Sequence, residues 1–171
     1  MANKKNLPAG AGALIAMVMM AGIWFSSAAE AADWRSYAGD QNFSYFYDAK
    51  LIDYPYKNVY TVLNLELSKL SIVSVWTKRI IRDNNGRDWQ IEEQKKQGLT
   101  TRGYERYEYT VAQKELNCSE KRYRVLSEVD YSKDGDVLSS FAKDVNYVEW
   151  KPIPPDSDSD ALLHALCEKP K

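Results

Sequence analysis

The chain has 171 residues, with 23 lysines and arginines against 24 aspartates and glutamates and a formal net charge of −1. That balance argues against a nucleic-acid or anionic-lipid partner, since both demand a basic surface. Twelve tyrosines against eight glycines suit an antiparallel sheet whose half-buried faces take aromatic and β-branched residues.

Residues 1–31 have the three parts of a secretory signal. Lys4 and Lys5 form the basic end, Gly10–Phe25 an uncharged apolar run, and Ala29-Glu30-Ala31 a small-x-small cleavage site. The run is short for a span, which needs about 20 apolar residues, and no later segment is apolar enough for one. Cleavage after Ala31 leaves residues 32–171, a single-domain length. No cysteine adjoins the cut, so no lipid anchor on an N-terminal cysteine is expected. The only two cysteines are Cys118 and Cys167. In an exported chain, two cysteines are most simply read as one disulfide.

Trp34–Tyr37 and Asn42–Asp48 read as strands joined at Gly39-Asp40, with Phe43, Tyr45 and Tyr47 on one face. Lys50–Ser68 is broken by Pro55, and Val59–Leu70 fits either strand or short helix. Ser71–Arg82, rich in Ile and Val around Trp76, is a strand ending at the turn signal Asn84-Asn85-Gly86. Asp88–Gly98 reads as a short polar helix or loop. A long strand from Tyr104 to Cys118 puts Glu105, Tyr107, Tyr109 and Val111 on one face. In Lys121–Ser132, Tyr123, Val125, Ser127, Val129 and Tyr131 share a face. Asp134-Gly135 then signals a hairpin returning through Val137–Phe141. Tyr147–Trp150 is expected as a short edge strand, and Pro152, Pro154 and Pro155 as a break. Ser157 with Asp160 has capping-box spacing and opens a helix whose Leu162, Leu163, Leu166 and Cys167 form the docking face.

Several of these segments carry a family resemblance. They are Asp33-Trp34 just after the signal, Tyr45-Phe46-Tyr47-Asp48, Val75-Trp76-Thr77-Lys78, and Asn117-Cys118 followed by Arg122–Ser127. Tyr131–Gly135, Trp150–Ser157 and the helix ending at Cys167 complete the set. Together they resemble the surface-adhesin protein E family of small exported bacterial proteins, most closely over 104–167. The match is looser over 33–82, and 50–70 and 84–100 look longer and more polar than that family's pattern. The resemblance implies an antiparallel sheet with a C-terminal helix packed on it and a Cys118–Cys167 disulfide. For most members it implies export with no assigned function; binding of host or matrix proteins belongs to the namesake.

His164 is the only histidine, and Asp160 lies one helical turn before it. No serine sits in a Gly-x-Ser-x-Gly elbow, and a catalytic nucleophile needs an oriented base, so a periplasmic enzyme using His164 is a remote alternative and no catalytic residue is assigned. Asp156, Asp158 and Asp160 imitate the start of a calcium loop, but its glycine is replaced by Ala161 and its bidentate glutamate by Cys167. They are read as helix-capping residues, with no metal or cofactor expected. Tyr45, Tyr47, Tyr107 and Tyr109, at strand spacing, read as core. Tyr54, Tyr56, Lys57 and Tyr60, in a loop-like stretch, are the expected partner contacts.

The expected fold is α+β: a meander-like antiparallel sheet of about five to seven strands, one C-terminal helix on one face, and one disulfide. The expected role is a non-catalytic binding or adhesion module, held in the periplasm, at the outer surface or secreted, that engages an extracellular or envelope protein and is compatible with homo-oligomers. The alternative is an accessory component of an envelope complex that pairs a partner strand at a sheet edge.

Overall fold

The computed structural model describes residues 31–53 and 72–168. These form a seven-stranded antiparallel sheet with two helices. The strands are β1 (Trp34–Gly39), β2 (Phe43–Asp48), β3 (Ile72–Ile81), β4 (Tyr107–Asn117), β5 (Arg122–Ser132), β6 (Val137–Ala142) and β7 (Lys151–Pro152). The first six lie side by side in chain order, and β7 joins β6 along the outer edge of β5. Helix α1 (Asn84–Lys96) follows β3, and helix α2 (Asp158–Cys167) ends the described chain.

Three of the four irregularities in strand pairing decide which side chains of β1, β4 and β5 face the helices. In β1 the register shifts at Tyr37, whose ring meets those of Tyr45 and Tyr47 at 6.1 and 6.3 Å. In β4 it shifts at Glu108, because Tyr107 lies opposite Ser132 and Tyr109 opposite Tyr131. In β5 it shifts at Leu126, because Lys114 lies opposite Val125 and Gln113 opposite Ser127. An extra residue in a period-two strand exchanges the faces beyond it. Tyr107 therefore faces the helices, whereas Tyr109 and Val111 face the other way. Likewise Tyr123 and Val125 face the helices, but Ser127, Val129 and Tyr131 do not. The uninterrupted alternation expected from the sequence is corrected at both places. A consequence is that Glu128 and Asp130 join the helix-bearing face.

The stretch Asn84-Asn85-Gly86 is the first turn of α1 rather than a free turn. The Asp83 carboxylate caps it by accepting from the amides of Asn85 and Gly86 at 2.9 and 3.2 Å. Gly86 lies so close to the Asn42 carbonyl that a Cβ there would come within 2.5 Å of its oxygen. At the other end, Gly98 has φ +69°, and the amides of Gly98 and Leu99 close back on the carbonyls of Lys95 and Gln94 as a Schellman motif. The expected strand at Tyr147–Trp150 is also corrected. Val145–Tyr147 is a 3-10 turn, and the edge strand is Lys151–Pro152, where a proline is tolerated because the outer side needs no donor. The Asp134-Gly135 hairpin forms as expected, with Gly135 at φ +86°.

Two apolar clusters lie on the helix-bearing face. Phe43, Tyr104 and Tyr107 pack beneath α1 with Ile81 and Ile91. Val75, Leu116 and Leu162 pack beneath α2 with Tyr47, Tyr123 and Leu166. Ser157 caps α2 by accepting from the Asp160 amide at 3.1 Å. Cys118 and Cys167 form the disulfide, with Cα atoms 5.6 Å apart, tying the end of α2 to the end of β4. Closing a loop with a sequence separation of 49 removes about 4 kcal/mol of unfolded-chain entropy.

Leu162 is fully buried. Leu162→Ala is expected to cost about 2–5 kcal/mol in denaturant unfolding, more than the same change at half-buried Leu166. Gly86→Ala is expected to lower the midpoint as well, because the helix must retreat from the Asn42 carbonyl. Denaturant unfolding of the three variants beside the parent checks both outcomes.

Candidate functional site: the cleft between the helices

Neither helix covers the middle of the sheet. Between them the floor is made of Thr77 and Ala112, small side chains that leave a cleft of about 280 Å³. Tyr37 and Tyr45 wall it on the α2 side and Trp89 on the α1 side, with Arg79, Lys114 and Glu128 among its lining. A depression of about 510 Å³ continues it past Tyr37, Tyr45 and Asp158. At the other end Glu128 is shared with a recess of about 460 Å³ at the sheet edge, bordered by Phe141, Lys143 and Tyr147. The three adjoin along one face through these shared residues and together are termed the groove.

A buried carboxylate organises the α1 side. Asp130, 2% exposed, accepts from Thr110 Oγ1 at 2.6 Å, Tyr104 Oη at 2.7 Å, Gln90 Nε2 at 3.4 Å and Gln94 Nε2 at 3.5 Å. Burial and the bond to Asp130 push the Tyr104 hydroxyl well above its ordinary range. Arg79 Nη2 donates to Gln90 Oε1 at 2.8 Å and Thr110 Oγ1 at 3.3 Å, joining the cleft to this network. The Arg79 guanidinium also lies over the rings of Phe43 and Trp89, at 4.7 and 5.7 Å. On the other wall, Lys114 Nζ meets Asp158 Oδ2 at 3.5 Å. Burial raises the Glu128 carboxyl, and the neighbouring Asp130 raises it further, while Arg79 and Lys114 oppose the shift. Burial likewise raises the hydroxyls of Tyr37 and Tyr45, the latter helped by its bond to Asp40 at 3.0 Å.

The residues singled out from the sequence are scattered relative to this groove. Tyr54, Tyr56, Lys57 and Tyr60 lie outside the described residues. His164 is exposed on the outer side of α2, with Nδ1 2.7 Å from Glu168 Oε2 and Nε2 3.7 Å from Asp160 Oδ2. Asp160 also accepts from the Asp156 amide at 3.2 Å, and Asp158 is taken by Lys114, so the three aspartates serve the helix start and the sheet. Among the described residues no cluster of three or more His, Cys, Asp or Glu could hold a metal. Tyr47 and Tyr107 are core as expected, and Tyr45 stands in the groove wall. Tyr109 stacks on Tyr131 on the opposite face, under Lys78 Nζ at 4.2 Å. Arg79, Lys114, Glu128, Asp130 and Trp89 were not picked out from sequence. Arg79 did leave a signal, since it takes an inward position in the alternation Val73, Val75, Thr77, Arg79, Ile81.

An open antiparallel sheet, stapled to its last helix by a disulfide and bearing a groove walled by aromatic rings with charged side chains in its lining, defines a small α+β domain. The chain belongs to the surface-adhesin protein E family, whose model matches residues 34–168. That membership makes it a surface-adhesin-type protein, with an exported or surface location. No curated protein and no solved structure matches the chain. No helix among the described residues is long and apolar enough to cross a membrane.

The raised Glu128 carboxyl carries a stability consequence of definite sign. The folded state holds that proton to higher pH than the unfolded chain, whose glutamates titrate at about 4.3. Stability is therefore lost as pH rises from the unfolded value through the folded one. Glu128→Gln is expected to raise the melting temperature at pH 7 and to leave it unchanged near pH 3. Melting curves of both proteins across that range read the difference directly.

Proposed function

We propose that this protein is an exported, non-catalytic binding module that engages an extracellular or envelope protein through the groove between α1 and α2. The observation that carries this reading is the exposed aromatic rings gathered around one groove: Trp89 at 43%, Phe141 at 43% and Tyr147 at 83% exposure. Large rings left in water beside a concave, partly charged floor are the composition of recognition surfaces, where aromatic anchors carry most of the affinity. Tyr54, Tyr56, Lys57 and Tyr60 remain proposed as additional contacts. His164 is not among the groove's lining, which supports a role without histidine chemistry.

A second reading is favoured by the β6 edge. Val137–Ala142 (VLSSFA) has neither charge nor proline, the usual devices that keep an edge strand from pairing. An accessory component that accepts a partner strand there would use this edge rather than the groove.

Capture of extracellular or envelope proteins by the immobilised domain separates the readings. Trp89→Ala, Phe141→Ala and Tyr147→Ala are each expected to weaken capture about tenfold, the loss typical of an anchor residue. Tyr147→Ala is expected to do so with no change in melting temperature. Capture that survives all three but is lost on placing a proline in β6 would support the strand-pairing alternative. Dependence on His164 would revive enzymatic chemistry.

A further inference from the structure

Two arginines are sunk into this sheet, one on each face, and they are treated differently. On the face away from the helices, Arg124 holds Glu115 Oε2 with two nitrogens, Nε at 2.7 Å and Nη2 at 2.6 Å, so the chain supplies the guanidinium with its own carboxylate. Arg79, on the groove side, has no such partner. Its Nη2 donates to neutral acceptors, Gln90 Oε1 and Thr110 Oγ1, the neutral Tyr107 hydroxyl lies beside it, and its Nε is buried without a hydrogen-bond partner. Among the described residues it forms no ion pair. The nearby Asp130 carboxylate is already taken by four other donors. Glu128 and Asp130 act on the guanidinium by charge but neither touches it, so the site lacks a carboxylate in direct contact, whereas buried charge is ordinarily paired and bonded.

The surroundings say what completes it. Phe43 and Trp89 back the guanidinium with their rings, holding it in place. Lys114 lines the same cleft as a second cation and pairs with Asp158 at 3.5 Å. Glu128 lines the cleft as well, and burial shifts its carboxyl upward while Arg79 and Lys114 oppose the shift. At about 280 Å³ the cleft falls just below the usual size of small-molecule pockets, and it opens at both ends along the groove. Such a shape admits one side chain from a polypeptide passing through. We infer that the cleft receives the carboxylate of an aspartate or glutamate side chain of the partner protein, bound by Arg79 with Lys114 as its second contact. This inference rests on the reading of the groove as the binding surface.

Titration of the purified protein with a blocked Gly-Glu-Gly peptide tests it. The readouts are the NMR signals of the Arg79 Nε–H and the Trp89 indole N–H. A saturable shift of both signals is expected, with binding about tenfold weaker for the Gly-Gln-Gly counterpart and weakened also in Lys114→Gln, a variant that leaves the Asp130 network intact. No saturable shift, or equal binding of the glutamine peptide, overturns the inference. Sodium acetate binding as tightly as the peptide overturns the protein source and leaves a site for small carboxylates. If the peptide fails while Trp89→Ala still abolishes partner capture, the carboxylate falls and the groove stands. If the peptide binds but capture ignores Trp89, the groove reading falls with the partner it implied.

Discussion

The carboxylate of Asp130 is the point on which the helix-bearing face depends. It joins four segments: β4 through Thr110, the turn before β4 through Tyr104, α1 through Gln90 and Gln94, and its own β5. Burying a carboxylate costs several kcal/mol unless it is bonded, and bonds to a charged group return about 1.5–3 kcal/mol each. The arrangement works only as a unit. Without Asp130, Gln90 and Gln94 would face the sheet with their amides unsatisfied. Helix α1 brings few apolar side chains inward, so the carboxylate substitutes for the oily stripe that ordinarily docks a helix.

Asp130 reaches that position because of Leu126. Without the extra residue in β5, Glu128 and Asp130 would point to the opposite face and the strand would present Val129 and Tyr131 to the helices. The bulge at Glu108 does the complementary work in β4, bringing Tyr107 over to lie beside Tyr104 at 5.9 Å. One-residue irregularities thus decide that the groove has a polar floor rather than an apolar one. Small residues at Thr77 and Ala112 then leave it open.

Much of the architecture was legible in the chain. The strands declare themselves through alternation, the hairpin through Asp134-Gly135, and the last helix through Ser157 and its leucines. The disulfide follows from there being two cysteines in a chain whose sequence reads as exported. The bulges were not legible, because an extra residue leaves no trace in a pattern that is apolar on both sides, as from Tyr107 to Val111. Helix α1 was hidden for a different reason: its inward side chains are glutamines and a glycine, and Asn84-Asn85-Gly86 has the composition of a turn. The groove was least visible, since it is assembled from all six long strands, β1 to β6, and two helices that are distant in sequence. The tyrosine cluster around Pro55 drew attention by local composition alone, whereas Trp89 and Arg79 become neighbours only through the fold.

The disulfide gives the two walls of the groove unequal mechanical character. Helix α2 is anchored covalently at its last turn and by fully buried leucines at its centre. Helix α1 has no covalent tie to the sheet beyond its own chain ends and is held by hydrogen bonds to Asp130, Arg79 and the Tyr107 carbonyl, by Trp89 and Ile91 against the Phe43 cluster, and by a cap at each end. The free energy of detaching α1 is therefore the smaller of the two, so local opening is one-sided. The groove has a stapled jaw and an unstapled one, with Trp89 and the backing of Arg79 on the unstapled side. An occupant that pairs with Arg79 from within would brace that jaw through Gln90, coupling what enters the groove to how firmly it is closed.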